Sequence, residues 1–272
     1  MVSDTIFFRC LTLVFDKRLT HNRSVMPNDS LMLFLVWAFV AEVIGTMAGF
    51  GAATVLTPIA SFFFDIKTAV AVVACFHLFG NASRLAFFGR AVDWKIVGQF
   101  GLIGIAWSFL GAHLAAGLPA FAIRLALGVF LVVYVIVEWT RVVSLRIPAT
   151  TTSLIIGGGV SGLIAGLIGT GGAIRSVCLL TFGLPRETYI ATSAAIALAV
   201  DATRLPVYLT QHFIPGSLLW VIVGLTAVAF AGAWAGQRLV RQISPGWFKH
   251  IVLVMLFLMG VKLLVDSLRE VW

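Results

Sequence analysis

Long apolar runs, each about as long as a membrane-spanning helix, follow one another through most of the chain. About 20 apolar residues are needed for a helix to cross the hydrocarbon core of a bilayer. Only a structure that satisfies its own backbone hydrogen bonds is stable there. The pattern therefore predicts an all-α polytopic membrane protein. It places eight spans at residues 31–50, 68–89, 96–117, 119–139, 152–170, 188–210, 216–237 and 248–268.

Two further apolar stretches, at residues 51–66 and 171–186, are too short to cross a bilayer easily. Each follows a cluster of glycines, and glycine adopts a positive φ without a steric penalty. Pro58, in the first stretch, also lacks a backbone N–H. Because irregular backbone at membrane depth must be buried in protein or line a wet cavity, we expect re-entrant segments or the second halves of broken helices.

The two halves of the chain resemble each other. GTMAGFGAA at 45–53 resembles GLIAGLIGTGG at 162–172, and NASRL at 81–85 matches DATRL at 201–205. The preserved order predicts two homologous repeats of about four transmembrane helices, each with a glycine-rich broken or re-entrant helix. Interruptions at equivalent places indicate the binding site of a transporter. The predicted organisation is an N-terminal cytoplasmic tail, a first repeat and a second repeat, at residues 1–30, 31–146 and 147–272; parallel and inverted repeats both remain open.

Composition excludes several classes of protein. Hydrophobic residues make up 60% of the chain and charged residues 11%, whereas a soluble domain carries about 25% charged residues. The net charge of +8 does not indicate nucleic-acid binding, because the basic residues form no stripe. The three cysteines have no metal-ligand spacing, and the sequence contains no motif of a hydrolase, zinc protease or nucleotide-binding enzyme. The predicted surroundings are a lipid bilayer, and we expect no catalytic residues, metal or cofactor.

The ionisable residues inside the spans are the first candidates for a functional site, because they are expensive in lipid. His77, Asn81 and Arg84 share one helical face. Arginines from two repeats could converge on an anion, since a guanidinium is always charged and offers a fork of donors. Alternatively, the arginines reach lipid headgroups, or Asp201 pairs with Arg204 within its own helix. The predicted substrate-binding group is Asn81, Ser83, Arg84, Asp201, Thr203 and Arg204.

A carboxylate near the middle of the first span, that of Glu42, must face a cavity or carry a proton. We therefore predict that Glu42 or Asp201 exchanges protons during transport. The alternative is that Glu42 accepts a hydrogen bond at a helix break.

The glycine clusters supply the second group of candidates. A helix that starts after such a turn directs backbone N–H groups and a partial positive charge into the protein. Arg175 would add a full charge. Close packing of helices is the ordinary alternative for small residues in membranes. The predicted substrate-binding residues here are Gly49, Gly51, Thr54, Gly169, Thr170, Gly171, Gly172 and Arg175.

These motifs resemble a known family. AGFGAATVLTPIASFFF and GLIAGLIGTGGAIRSVCLLTFGLPRETYIATSAA are similar to the two signatures of the TauE/SafE family of sulfite exporters, and the resemblance extends from about residue 31 to 268. It implies a secondary transporter of sulfite, sulfonates or related small anions, often an exporter, spanning the bacterial inner membrane several times. Alanines replace glycines at Ala52 and Ala53, and residues 175–178 stand where the family pattern has a proline.

The residues and the resemblance together predict export of a small sulfur oxyanion or organosulfonate by alternating access, with the proton as the coupling ion if there is one. An anion channel and a non-transporting scaffold or accessory subunit are the alternatives. Assembly into a homo-oligomer is left open.

Overall fold

The computed structural model describes residues 28–48, 51–140, 148–239 and 245–270. Those residues form helices joined by short connections, without a strand. Most of the predicted tail, and Gly49 of the first glycine cluster, lie outside the described residues. In chain order the helices are α1 Asn28–Ala48, α2 Ala53–Ala60, α3 Ile66–Phe88, α4 Trp94–Gly117, α5 Ala120–Thr140, α6 Thr151–Ile168, α7 Gly172–Leu180, α8 Arg186–Thr210, α9 Leu219–Leu239 and α10 Pro245–Arg269.

Seven helices in the described part of the chain are long and apolar enough to cross a membrane: α1, α3, α4, α5, α6, α8 and α9. They coincide with seven of the eight predicted spans. The eighth predicted span falls on α10, which is helical but is not among these seven. The prediction of an all-α, multi-pass membrane protein is therefore confirmed.

Polar side chains at several helix starts fix where the helices begin. Asp65 and Asp93 accept hydrogen bonds from backbone N–H groups two and three residues later, at 3.0 to 3.2 Å, at the starts of α3 and α4. Thr150 does the same for the N–H three residues on, at the start of α6. Such caps satisfy donors that have no partner within the helix.

The most buried long helices, α3 and α8, pack against each other in the centre of the molecule. Around them α1 packs on α9, α4 on α6 and α5 on α10. The outer helices expose apolar side chains, such as Leu102, Val133 and Val223. An aqueous solvent disfavours so many exposed apolar groups, whereas lipid tails are a suitable environment for them.

Small residues let α4 and α6 approach closely. A Cβ added to Gly162 would lie 2.2 Å from the carbonyl oxygen of Gly104, and one added to Gly166 would lie 2.1 Å from that of Ser108. Contact between backbones, with no side chain between them, is the usual role of small residues in membrane helix pairs.

The two short helices, α2 and α7, lie inside this bundle and contact each other. They have 8 and 9 residues, which gives a length of roughly 12 to 14 Å at 1.5 Å per residue. That is less than half of a hydrocarbon core of about 30 Å. Neither helix can cross a membrane alone, and both start directly after the glycine clusters.

Candidate functional site

A group of charged side chains is buried where α1, α3, α7 and α8 meet. The five residues are between 0 and 5% exposed, so neither Arg84 nor Arg204 extends to the surface, and the alternative in which they reach lipid headgroups does not hold. Charges that are removed from water must be compensated by partners or ligands. The group consists of Glu42, Arg84, Arg175, Asp201 and Arg204.

Arg84, on α3, is held by side chains of two helices. Its guanidinium forms an ion pair with the carboxylate of Glu42 on α1. It also donates to the hydroxyl of Thr46, at 3.1 and 3.2 Å, and to Oδ1 of Asn81, at 2.8 Å. Glu42, which was predicted to exchange protons, is thus the counterion of Arg84, a predicted anion-binding residue. It does not accept a hydrogen bond at a helix break.

Arg204, on α8, is occupied by other protein groups. Its Nε donates to Oδ1 of Asp201 at 2.9 Å, and its Nη2 lies 2.7 Å from the same oxygen. Its Nη1 donates to the carbonyl oxygen of Ala165 in α6. This is the pairing within one helix that the sequence offered as the alternative. Arg204 does not converge with Arg84 on a shared cavity.

Arg175, in the short helix α7, differs from Arg84 and Arg204 in its partners. It is 4% exposed, and its Nε donates to the hydroxyl of Ser193 at 2.9 Å. No carboxylate in the described part of the chain forms an ion pair with it. A buried guanidinium without a counterion creates a strong positive potential around its free N–H groups.

A small cavity lies beside this arginine. It has room for about one water molecule, so it must widen before a larger ligand can enter. Arg84 and Arg175 reach the cavity from two different helices, α3 and α7, beside Gly51 of the first glycine cluster. The lining residues are Gly45, Thr46, Gly51, Asn81, Arg84, Arg175, Ile190, Ser193 and Ala194.

The two glycine clusters differ in how they contribute. Gly51 has φ +86° and lines the cavity, and Gly169 has φ +83° at the end of α6. These values are unfavourable for any residue with a side chain. Gly171 serves packing, because a Cβ there would lie 2.2 Å from the carbonyl oxygen of Ser161. Gly172 begins α7.

Thr54 and Thr170 connect the two breaks directly. Their hydroxyl oxygens are 2.8 Å apart, both side chains are fully buried, and neither lines the cavity. The bond joins the start of α2 to the turn before α7.

Ser83 and Thr203 lie away from the cavity. Each hydroxyl donates to the carbonyl oxygen four residues earlier in its own helix, at 2.9 and 2.8 Å. The structure therefore gathers Asn81, Arg84, Arg175 and Gly51 at one cavity, and leaves these two hydroxyls out.

The structure adds residues that the sequence did not place in the site. Thr46 and Ser193 line the cavity. His77 lies against Gly51, another lining residue, with Nδ1 2.8 Å from Oδ2 of Asp201. Thr46 is one helical turn from Glu42. Ser193 is two turns before Asp201 and shares its helical face. For Thr46 and Ser193, spacing by whole turns from a predicted carboxylate was the available signal, and for His77 it was the helical face shared with Asn81 and Arg84.

Comparison with known proteins agrees with this architecture. The family model for the sulfite exporter TauE/SafE matches residues 33–263. A probable membrane transporter protein of Sinorhizobium fredii is 27% identical over 64% of this chain and 72% of its own length. Another, of Methanocaldococcus jannaschii, is 25% identical over 85% of this chain and 93% of its own length. No solved structure matches the chain. A match over most of the bundle means that the chain belongs to the sulfite exporter TauE/SafE family of membrane transporters.

Proposed function

We propose that the protein is a secondary transporter that exports a small, sulfite-like sulfur oxyanion or an organosulfonate across the cell inner membrane. The observation that carries the proposal is the buried Arg175, which faces a small cavity and has no carboxylate partner among the residues that the structure describes. An anion that enters the cavity supplies the missing counterion and recovers the desolvation cost of the guanidinium.

The charges around the cavity favour an anion of low charge. Arg84, Arg175 and Arg204 contribute three positive charges, and Glu42 and Asp201 contribute two negative charges, which leaves one positive charge in excess. The hydroxyls of Thr46 and Ser193 and the N–H groups of Arg84 and Arg175 supply donors suited to oxyanion oxygens.

The helix packing supports a two-repeat carrier. In the proposed scheme α1 to α5 form the repeat at residues 31–146, and α6 to α10 form the repeat at residues 147–272. In this scheme each repeat begins with a long helix that packs on the second-to-last helix of the other repeat. Thus α1 packs on α9, and α6 packs on α4. Rocking of one repeat against the other, with α2 and α7 as re-entrant elements beside the cavity, would expose the site alternately to the two sides.

Proton coupling follows from competition for Arg84. An anion that binds this guanidinium displaces Glu42, whose carboxylate is fully buried. The second oxygen of this carboxylate has no hydrogen-bond partner in the described part of the chain. A carboxylate released in such a place takes up a proton to avoid an uncompensated charge. Asp201 is the second candidate, although it would first have to leave Arg204.

Exchange of labelled sulfite by purified protein in liposomes that contain unlabelled sulfite tests the proposal. We expect saturable exchange, and a 10- to 100-fold loss in Arg175→Gln, because about 1.5 to 3 kcal/mol is expected from a hydrogen bond to a charged group. Arg175→Lys keeps part of the exchange, because the positive charge remains.

Arg238→Gln is the matched control, since this arginine is exposed and lies over the ring of Trp234. It should leave exchange unchanged. Flux that does not saturate would contradict a carrier and indicate a channel. Absence of both flux and anion binding would indicate a scaffold.

A further inference from the structure

His77 presents a buried acceptor that the proposed transport cycle does not yet use. The side chain is 4% exposed, and its Nδ1 is bonded to the carboxylate of Asp201 at 2.8 Å. A carboxylate only accepts, so the short contact with Asp201 requires the proton on Nδ1. The amide Nδ2 of Asn81, 3.1 Å from the same Nδ1, then donates to Oδ2 of Asp201 at 3.4 Å, and in the neutral imidazole Nε2 carries a lone pair. Within the described part of the chain, Nε2 has no hydrogen-bond partner.

This nitrogen lies against Gly51, which lines the cavity, and on the same side of Gly51 as the guanidinium of Arg175. A Cβ added to Gly51, which lines the cavity, would be 2.7 Å from Nε2 of His77 and 3.7 Å from Nη2 of Arg175. Both nitrogens therefore face the side of Gly51 from which a side chain would project. Glycine, with no side chain, leaves that side open to a ligand when the cavity widens.

The side chains of Arg175 and His77 require opposite hydrogen-bonding groups from a ligand. Arg175 needs a negatively charged acceptor, whereas Nε2 of a neutral His77 needs a donor. A monoanion that also carries an acidic O–H satisfies both, because one oxygen accepts from the guanidinium and the hydroxyl donates to the imidazole. A single negative charge also balances the one excess positive charge of the buried group.

We propose that the site selects oxyanions that carry one negative charge and one acidic O–H, such as hydrogen sulfite, and that Nε2 of His77 accepts the hydrogen bond from that O–H. This rests on the proposed function and narrows its substrate class, since sulfonates carry no such hydroxyl. The charged groups that act on His77 are Asp201 on α8, Arg84 on α3 and Arg175 on α7. Asp201 is paired in turn with Arg204 on α8, and Arg84 with Glu42 on α1.

Two anions of matched size test the inference. At mildly acidic pH methylphosphonate is a monoanion with an O–H, and methanesulfonate is a monoanion without one. We expect methylphosphonate to compete with labelled sulfite exchange about tenfold more strongly, the effect of one hydrogen bond to a charged group. The same order is expected in thermal stabilisation of the detergent-solubilised protein.

Two substitutions assign the preference to Nε2. In His77→Asn the shorter amide can still bond to Asp201 but cannot reach the place of Nε2, so the two anions should compete nearly equally. His77→Gln places an amide oxygen near the position of Nε2 and should retain part of the preference. Because each ratio is measured within one protein, it does not depend on how much of a variant folds.

The outcomes separate this inference from the proposed function. Equal competition by both anions in the unsubstituted protein, no binding of methylphosphonate while sulfite exchange proceeds, or an unchanged preference in His77→Asn would each overturn the role of His77. Each of these three outcomes is compatible with sulfite exchange by the protein. Loss of sulfite exchange itself would instead overturn the transporter.

Discussion

Asn81 and Asp201 contact each other where α3 crosses α8, with Nδ2 of the amide 3.4 Å from Oδ2 of the carboxylate. Each residue also accepts a hydrogen bond from the arginine three positions later, at 2.8 Å for Arg84 and 2.9 Å for Arg204. Two carboxylates at this contact would repel each other in an apolar interior. The amide avoids that repulsion, and Arg84 obtains its carboxylate from Glu42 instead.

Removal of the Asp201 carboxylate should destabilise the contact between α3 and α8. In Asp201→Asn, Arg204 becomes a buried cation without a counterion, which costs about 3 to 5 kcal/mol. SDS titration of the protein in detergent micelles measures the loss of unfolding free energy. Asp201→Asn combined with Arg204→Met removes both charges and should recover most of the stability, since a buried ion pair is often replaceable by apolar groups. A double variant as unstable as the single one would contradict this explanation.

The spans were predictable because transfer into lipid acts on each residue separately, so apolar runs alone locate them. The Asp201–Arg204 pair was also available from the sequence as an alternative, because i, i+3 spacing makes the two residues neighbours on one helix. The ion pair between Glu42 and Arg84 was not, since it depends on how α1 and α3 are rotated about their axes. Arg84 and Arg204 are equivalent in the sequence, but both have carboxylate partners in the structure. Packing instead leaves Arg175 at the cavity without a carboxylate partner among the described residues.

Glu42→Gln should uncouple anion movement from the proton gradient. The neutral amide cannot release or take up a proton, and Arg84 loses its counterion, so anion affinity should rise while a pH gradient no longer drives flux. Sulfite flux into liposomes with and without an imposed pH gradient measures the effect. Glu187→Gln, at an exposed position in the first turn of α8, is the control. Proton-driven flux that persists in Glu42→Gln would exclude Glu42 as the coupling residue and leave Asp201.

Gly171→Ala should destabilise the turn before α7. Its Cβ would lie 2.2 Å from a backbone carbonyl oxygen, that of Ser161, which cannot rotate away. Overpacking of this kind costs about 1 to 3 kcal/mol. Gly98→Ala is the matched control, because a Cβ there meets nothing within 4 Å and α4 should gain up to about 1 kcal/mol in helix propensity. Melting temperatures in detergent should therefore move in opposite directions, and a fall of equal size in both variants would argue against a steric cause.

The hydroxyl bond between Thr54 and Thr170 should contribute measurable coupling between the two breaks. Valine has nearly the same shape as threonine, so Thr54→Val and Thr170→Val remove the bond and leave the packing largely in place. Each single variant leaves one buried hydroxyl without its hydrogen-bond partner, at a cost of about 1 to 3 kcal/mol, whereas the double variant removes both hydroxyls. The double variant should therefore lose less stability than the two single losses predict together.

A double-mutant cycle of unfolding free energies measures this coupling. Thr54→Val combined with Thr203→Val is the control cycle, because the hydroxyl of Thr203 donates to a carbonyl oxygen of its own helix and not to Thr54, and the two effects should add. The bond holds α2 against the turn before α7 while the cavity is closed, so its loss should favour opening and should not slow sulfite exchange. Strict additivity for Thr54 and Thr170 would mean that the two breaks are held together by packing alone.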